Sequence, residues 1–550
     1  MKKIIVSFFS LLLTANLAFS GGIVTNTNQS ASWTRMMVRD ASTSIDAVYY
    51  NPAGLTKLSD GFHLSLSNQV LGQTKNVISD FMYLNNAPVD YEGKVSAPLF
   101  PGVYAAYKTG KLAFSFGFNP IGGGGSADFA GGLPSIEMPV STLVPMLAST
   151  GVTGYSMNMN FSGTSVYFGV QAGVSYEVND MISVYAGGRY VMAKNTYKGA
   201  MSDIMVTANG TEVEAKPYLE GVAAEATAGA TLATSAAGQA SFASGELQVA
   251  IDNNLGGNTL AELVGAGVIT QGEADLVENG YTQLGGDPTD LTVTELQTGF
   301  DGFATQYTAM AAQLTGQAAQ LNAVAPLMAD QEADVEQTGS GFTPIVGVNL
   351  SFMEDKLNIG IKYEFKTNLE LTNNTTLDVV TGVDGSSMFP DGEVTNADMP
   401  AMLSVGAKFQ ATDALNIHAG FHTYFDGQVG WEDVDLNIEG NSIEYALGLE
   451  YDINEKLLVS AGWLGTQPSV TENYQTDLSY SMATNSFGAG GAYKISDMIT
   501  FQLGAFMTNY QTQTVGKEYD LGGIPVPFNE TYEKTAVGVG FGLDFTFGGE

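Results

Sequence analysis

The feature that most restricts this chain is a period-two alternation of side chains, repeated in segment after segment. In 536–547 the odd positions are Val537, Val539, Phe541, Leu543, Phe545 and Phe547. The even positions are Ala536, Gly538, Gly540, Gly542, Asp544 and Thr546. Successive side chains of a strand point to opposite faces, so one face is wholly apolar and the other small or polar. The pattern recurs in 357–365, where Leu357, Ile359, Ile361, Tyr363 and Phe365 oppose Asn358, Gly360, Lys362 and Glu364. It recurs again in 443–451, with Glu444 and Glu450 on the polar face.

A soluble sandwich also alternates, but with shorter strands and similar turns at both ends. Here the two ends differ. Very short connections fall at Thr109-Gly110, Asn179-Asp180, Glu354-Asp355, Thr412-Asp413, Asn454-Glu455 and Ser496-Asp497, as in tight hairpins. Longer polar stretches lie between them, at about 71–96, 120–163, 195–340, 370–397, 426–441, 466–481 and 512–532. Short turns at one rim and long loops at the other mark an outer-membrane barrel. The expected strands are 61–70, 97–108, 111–119, 164–177, 181–194, 341–354, 357–369, 398–410, 414–425, 442–453, 456–465, 482–495, 498–510 and 534–547. That makes fourteen, an even number, and closure would leave no unpaired edge in lipid. The last strand ends in the aromatic Phe547, a mark suited to the barrel assembly machinery.

Met1–Ser20 reads as a secretory signal: Lys2 and Lys3 open it, 4–19 is largely apolar, and Ala18 and Ser20 precede a cut at Gly21. No later run of about twenty apolar residues offers a helical span. The expected location is the outer membrane of a Gram-negative bacterium. There is no cysteine, which excludes disulfides, thiolate metal sites and lipidation at Cys. The net charge of −36 becomes −38 once Lys2 and Lys3 are removed, which argues against nucleic acid as a partner. An acidic secreted enzyme would fit that charge. The 66 Gly and 25 Tyr fit a many-stranded, wet-edged wall better.

Residues 195–340 break the pattern and become Ala-, Gly-, Thr- and Gln-rich with helical spacing. Leu296, Phe300, Phe303, Tyr307, Met310, Leu314 and Leu321 form one stripe, read as a helix–helix seam with the Ala-rich 222–243 as partner. Capping boxes are expected at Thr259/Glu262, Thr270/Glu273 and Thr292/Glu295. This is a helical insertion in the third long loop.

The segment after the signal carries a family likeness. Thr25-Asn26-Thr27-Asn28-Gln29-Ser30, then Arg39-Asp40-Ala41-Ser42-Thr43, then Tyr50-Asn51-Pro52-Ala53-Gly54-Leu55, resembles the hatch of the FadL-type outer-membrane transporters. Phe118-Asn119-Pro120 with Gly122 to Gly125, Met399-Pro400-Ala401-Met402-Leu403-Ser404-Val405-Gly406, and Ala461-Gly462-Trp463 with Pro468 follow in the family's order. The likeness covers most of the chain except the helical insertion. It implies a hatch over 21–60, a barrel over 61–550, and passive uptake of long-chain fatty acids or other hydrophobic compounds. In that family the hatch fills the lumen, and an inward kink of the third strand opens a side passage into outer-membrane lipid. Asn51, Pro52, Ala53 and Gly54 then become gating candidates, and Asn119, Pro120, Gly122 and Gly123 lateral-opening candidates. On the residues alone, Pro120 and the glycines disfavour flat pairing, and 119–125 is either a kinked strand or the start of an outer loop.

Ligand carboxylate candidates are Arg35, Arg39, Arg189, Lys362 and Lys408, with Lys366 also on an inward face. Each of them could instead pair with a lumen carboxylate such as Glu364, Glu444, Glu450 or Asp544. His418 and His422 lie four apart, but in a strand that spacing spans about 13 Å and lines the lumen instead of chelating a metal. No cofactor, metal or catalytic residue is expected: His63, His418 and His422 all face inwards, away from where a phospholipase's Ser–His pair would meet lipid. Two other readings remain, a general porin for polar solutes and a surface adhesion or structural barrel using the helical insertion.

Overall fold

The computed structural model describes residues 23–380, 386–431 and 437–548. The expected signal and its cut at Gly21 lie outside them. No described helix is long and apolar enough to cross a membrane, and the crossing is made by strands.

Residues 23–58 hold two short helices, α1 (Ala31–Thr34) and α2 (Ala47–Tyr50), and a 3-10 turn at Pro52–Lys57. Ser30 caps α1 by accepting from the Trp33 N–H at 3.0 Å. Then come β1 (Gly61–Ser79), β2 (Val89–Thr109), β3 (Leu112–Phe129), helices α3 (Pro134–Ser141) and α4 (Leu143–Met146), β4 (Val152–Asn179) and β5 (Ile182–Ala208). A short β6 (Thr211–Glu214) leads into the helical unit. The wall resumes with β7 (Gln331–Phe352) and β8 (Leu357–Glu364), followed by the short β9 (Glu370–Leu377) and β10 (Val394–Asn396). It finishes with β11 (Met402–Gln410), β12 (Leu415–Tyr424), β13 (Ser442–Asp452), β14 (Leu457–Gln467), β15 (Thr484–Ser496), β16 (Ile499–Tyr510), the short β17 (Gln513–Asp520) and β18 (Pro525–Phe547).

Fourteen of these strands close an antiparallel barrel. β1 pairs with β2 on one side and with β18 on the other, Phe62 opposite Phe547 through Ser79 opposite Glu530. Around the wall β5 pairs β7, β8 pairs β11, and β16 pairs β18, while β6, β9, β10 and β17 stay outside the ring. The six tight turns fall where the sequence places them; Met353, Glu354 and Asp355 all take left-handed φ between β7 and β8. Outward positions such as Val537, Phe541, Leu447 and Phe487 are exposed and apolar, while their inward neighbours are buried. An apolar outer face on a closed wall makes this an outer-membrane barrel.

Several strands run longer than their alternation suggests. β1 reaches Ser79, β3 reaches Phe129, β4 starts at Val152 and β7 at Gln331, all inside stretches expected as loops. Clear of lipid, a strand's outer face can turn polar, as Thr74 and Asn76 do, so the apolar pattern fades while the ladder continues. The opposite error falls at 365–369 and 398–401. There β8 has ended and β11 has not begun: Thr367 and Met399 still form an isolated bridge, but the Leu369 N–H turns to the Asp398 carboxylate (2.7 Å), which also binds Lys366 (2.8 Å).

The helical part forms a compact unit of its own over Ile204–Ala329, narrower than the expected 195–340 because β5 and β7 occupy the flanks. An Asn209-Gly210 turn, both residues at positive φ, joins the end of β5 to β6. Helix α5 (Ala215–Asp252) buries Leu219, Ala223, Ala226, Ala230, Ala233, Ala237, Ala240, Ser244 and Leu247, alternating steps of four and three. That is a heptad seam of small residues, and its partner is α8 (Val293–Val324), which follows α6 (Leu260–Gly265) and α7 (Gln271–Gln283). The stripe therefore is a helix–helix seam, though Met310 turns out to be exposed. All three capping boxes form. Hydrogen bonds from the Thr270 and Thr292 backbones hold Glu273 and Glu295 below the usual carboxylate range.

Candidate functional site

Residues 23–57 lie inside the wall, and nearly all are buried. Room for them comes from glycines on inward faces. Gly360, Gly406 and Gly420 are register neighbours on β8, β11 and β12, and a Cβ on any of them would collide with Asp40. Gly448 and Gly462 face Met36, Gly488 and Gly540 face Thr34, and Gly490 and Gly504 face Arg35. A side chain on this band would displace the segment. Trp33 then packs edge-on against Phe506 of β16, 5.9 Å between ring centres.

Buried charges fasten the segment to the wall. Arg35 meets Glu450 of β13 at 2.8 Å and donates to Gln502 and Ser460. Arg39 forms a fork with Asp46 at 2.8 and 2.9 Å and lies 3.6 Å from Glu450, which also meets His418 Nε2 at 2.9 Å. His422 sits between two carboxylates, with Asp40 2.5 Å from Nε2 and Glu444 2.8 Å from Nδ1. A doubly protonated ring satisfies both. On β8, Glu364 takes Arg189 (2.6 Å) and Lys362 (2.7 Å), and both cations lie over the Tyr49 ring.

The wall fails in one place. The β2–β3 ladder stops at Val103 opposite Phe118 and resumes at Ser96 opposite Ser126, leaving 97–102 and 119–125 without each other. Against β4, the same part of β3 shifts register at Pro120/Gly122 and again at Gly123/Gly125. Gly123 and Gly125 have φ of +80° and +82°, which side-chain-bearing residues rarely adopt. So 119–125 is a kinked stretch within β3 and not the start of a loop. Next to it β2 bulges at Pro98-Leu99, and the outward Asn68 fastens the bulge by accepting from Phe100 N–H (2.9 Å) and donating to the Pro98 carbonyl (3.2 Å).

From inside, residues 25–29 cover this break. Asn26 N–H donates to the Ile121 carbonyl at 2.9 Å, and Asn26 Nδ2 donates to the Gly123 carbonyl at 2.6 Å. Gln29 Nε2 donates to the Pro120 carbonyl at 2.8 Å, and Asn119 Nδ2 donates to Gln29 Oε1 at 2.6 Å. Thr25 forms a single antiparallel bridge with Gly122. The carbonyls of Asn26, Thr27 and Gln29 accept from the hydroxyls of Tyr49, Tyr50 and Tyr104. Beyond that bridge the stretch has no ladder, and these carbonyls are satisfied by side chains.

The sequence-derived candidates sort as follows. Asn51 donates to the Ser42 carbonyl and to Asn349, the Pro52 carbonyl accepts from Ser175, Ala53 packs on Tyr185 and Ile345, and Gly54 has no room for a Cβ. Asn119, Pro120, Gly122 and Gly123 meet at the break. Arg35, Arg39, Arg189 and Lys362 are each paired with a protein carboxylate, whereas Lys408 is half-buried opposite His418. His418 and His422 hold different carboxylates, and His63 contacts the Ser59 carbonyl and Thr546. Sequence reasoning missed Asn26, Gln29 and Asp40 as contact residues, because a segment without periodicity gives no direction to its side chains.

No protein-family model matches the chain. No curated protein matches it either. Among solved structures, a FadL homologue of Pseudomonas aeruginosa aligns at 11% identity with a TM-score of 0.54, covering 96% of this chain and 100% of that one. The Pseudomonas putida toluene transporter TodX aligns at 12% identity and TM-score 0.47, covering 92% and 95%. The Ralstonia pickettii toluene transporter TbuX aligns at 14% and 0.43, covering 92% and 94%. At such identities the likeness to the P. aeruginosa protein speaks for the fold alone. In fold, this chain is a FadL-type outer-membrane β-barrel.

Proposed function

We propose that the barrel takes up hydrophobic small molecules, long-chain fatty acids among them, and releases them sideways into the outer membrane between β2 and β3. The observation that carries this reading is the broken β2–β3 ladder, closed from inside by residues 25–29 and bordered outside by Leu99, which is 78% exposed. A lumen filled by the N-terminal segment suits neither bulk water nor sugars. A hydrocarbon gains roughly 0.8 kcal/mol for each CH2 kept out of water, so a passage that ends in lipid favours it over one that ends in the periplasm. The break lies level with the outward Leu66 and Val70, where the wall faces hydrocarbon. In this account 23–57 is the hatch, and loosening the Asn26 and Gln29 contacts opens the gap.

Proteoliposomes test it. Those holding the barrel should accumulate oleate faster than empty ones and should not swell in isotonic sucrose. Swelling without oleate uptake would make the protein a porin instead.

A further inference from the structure

The outward face of the wall changes character at one height on β14, β15 and β16. Trp463, Phe487 and Met507 are register neighbours there and apolar; two positions further on, Asn485 opposes Asn509. The indole N–H of Trp463 donates to Asn485 Oδ1 at 3.0 Å. A Trp with its ring towards hydrocarbon and its N–H towards polar groups marks the edge of the lipid band. A cavity of about 230 Å³ lies just past this edge, where the three strands end, between the 468–483 connection and residues 511–513.

Its lining carries no charged side chain, although the whole chain stands at −36. Carboxamides supply much of the polar surface: Gln467, Gln475, Gln511 and Gln513. Gln475 is 1% exposed and fixed. Its Nε2 donates to the Ser481 carbonyl (2.8 Å) and to Gln513 Oε1 (3.0 Å), and its Oε1 accepts from Ser481 N–H (2.9 Å). That leaves the Gln513 Nε2 as a free donor, and the side chains of Gln511 and Thr512 have no hydrogen-bond partner among the described residues. Pro468, Val470 and Met482 add apolar surface.

Without a cation, nothing in the cavity holds a phosphate or carboxylate, and without an anion nothing holds an amine. A carboxamide offers donors and an acceptor together, which suits a ligand whose polar groups also do both, as hydroxyls do. A small neutral molecule with several hydroxyls on a C–H framework is a sugar. The volume, that of about eight liquid waters, limits it to roughly one ring.

We infer that this rim cavity binds one neutral sugar unit, with Gln511, Thr512 and Gln513 hydrogen-bonding its hydroxyls and Gln475 holding Gln513 in place. The unit is either the head of a glycolipid beside the wall or a free saccharide; the recognition chemistry is the same. The site shares no residue with the β2–β3 break, so it stands or falls apart from the uptake reading.

Saturation-transfer NMR on the full-length mature barrel, in a polyoxyethylene detergent that carries no sugar, tests it. The probes are the methyl glycosides of glucose, galactose, mannose and N-acetylglucosamine, with glucuronate as a charged control. At least one neutral glycoside should bind, and glucuronate should not. Gln511→Leu should weaken that glycoside roughly fivefold or more, in a barrel that still migrates as folded without heating. Binding of none of the four overturns the site, as does glucuronate bound as tightly as they are. Unchanged affinity in Gln511→Leu and in the Gln511→Leu/Gln513→Leu double variant also overturns it. Nanodiscs with and without a diacylglycerol carrying the bound sugar then separate the sources. A weaker apparent affinity for the free glycoside in the glycolipid discs assigns the membrane lipid, and an equal affinity assigns a free saccharide.

Discussion

Asp40 Oδ1 lies 2.5 Å from His422 Nε2, and this contact ties the N-terminal segment to β12 with both partners buried. The other ring nitrogen meets Glu444, which also accepts from Tyr424 and Thr466 at 2.7 Å each. Removing one partner of a buried pair leaves the other charge uncompensated, at a cost of about 3–5 kcal/mol. Asp40→Ala should therefore lower hydrogen-exchange protection of 36–46 by about a hundredfold or more, with β12 and β13 amides unchanged. Unchanged protection in 36–46 would show that the contact does not hold the segment.

The glycine band makes a second prediction. Gly462 faces the Met36 carbonyl too closely for any side chain. Gly462→Val should still give a barrel that migrates as folded without heating, because position 462 keeps its ladder to Gly448 and Gly488. The segment would be pushed off the wall, and sucrose swelling absent in wild type should appear. Overpacking costs typically ~1–3 kcal/mol, more where backbone is the obstacle. A sealed, fully active variant would mean that the segment adjusts without leaving.

The helical unit offers a test separate from the barrel. Thr292→Ala removes a cap that accepts from Glu295 N–H and should destabilise the unit by ~1 kcal/mol, read as an earlier loss of helical circular dichroism on heating. Acid acts in the same direction. Glu273 and Glu295 sit below their usual values when folded, so their stabilisation is complete above the unfolded value near ~4.3 and is lost as pH falls through the lowered ones. The helical signal should weaken below about pH 4. A helical signal independent of pH across that range would contradict the capping account.

The wall was legible because period two survives wherever one face meets lipid and the other does not, as in Val537 to Phe547. The caps at Thr259, Thr270 and Thr292 were legible because their chemistry is local. Strand ends were not: past Val70 the outer face of β1 is no longer selected to be apolar, yet pairing with β18 runs on to Ser79. Inward polarity could be read, but the partners could not. Arg189 finding Glu364 and Arg35 finding Glu450 depend on strands 175 and 415 residues further along. The β1–β18 register, Phe62 opposite Phe547, closes the barrel and has no local signal.

Lateral release is the central claim, and a single bulky group at the mouth tests it most directly. The chain has no cysteine, so one introduced thiol can be labelled alone. Leu99→Cys places it at the outward edge of the β2–β3 break, and Leu447→Cys places it on the exposed lipid face of β13, away from the break. Each is modified with a large maleimide before reconstitution, and initial oleate uptake is followed. The label at position 99 should slow uptake at least fivefold while that at 447 leaves it unchanged; equal rates for the two labelled proteins would contradict exit through this part of the wall.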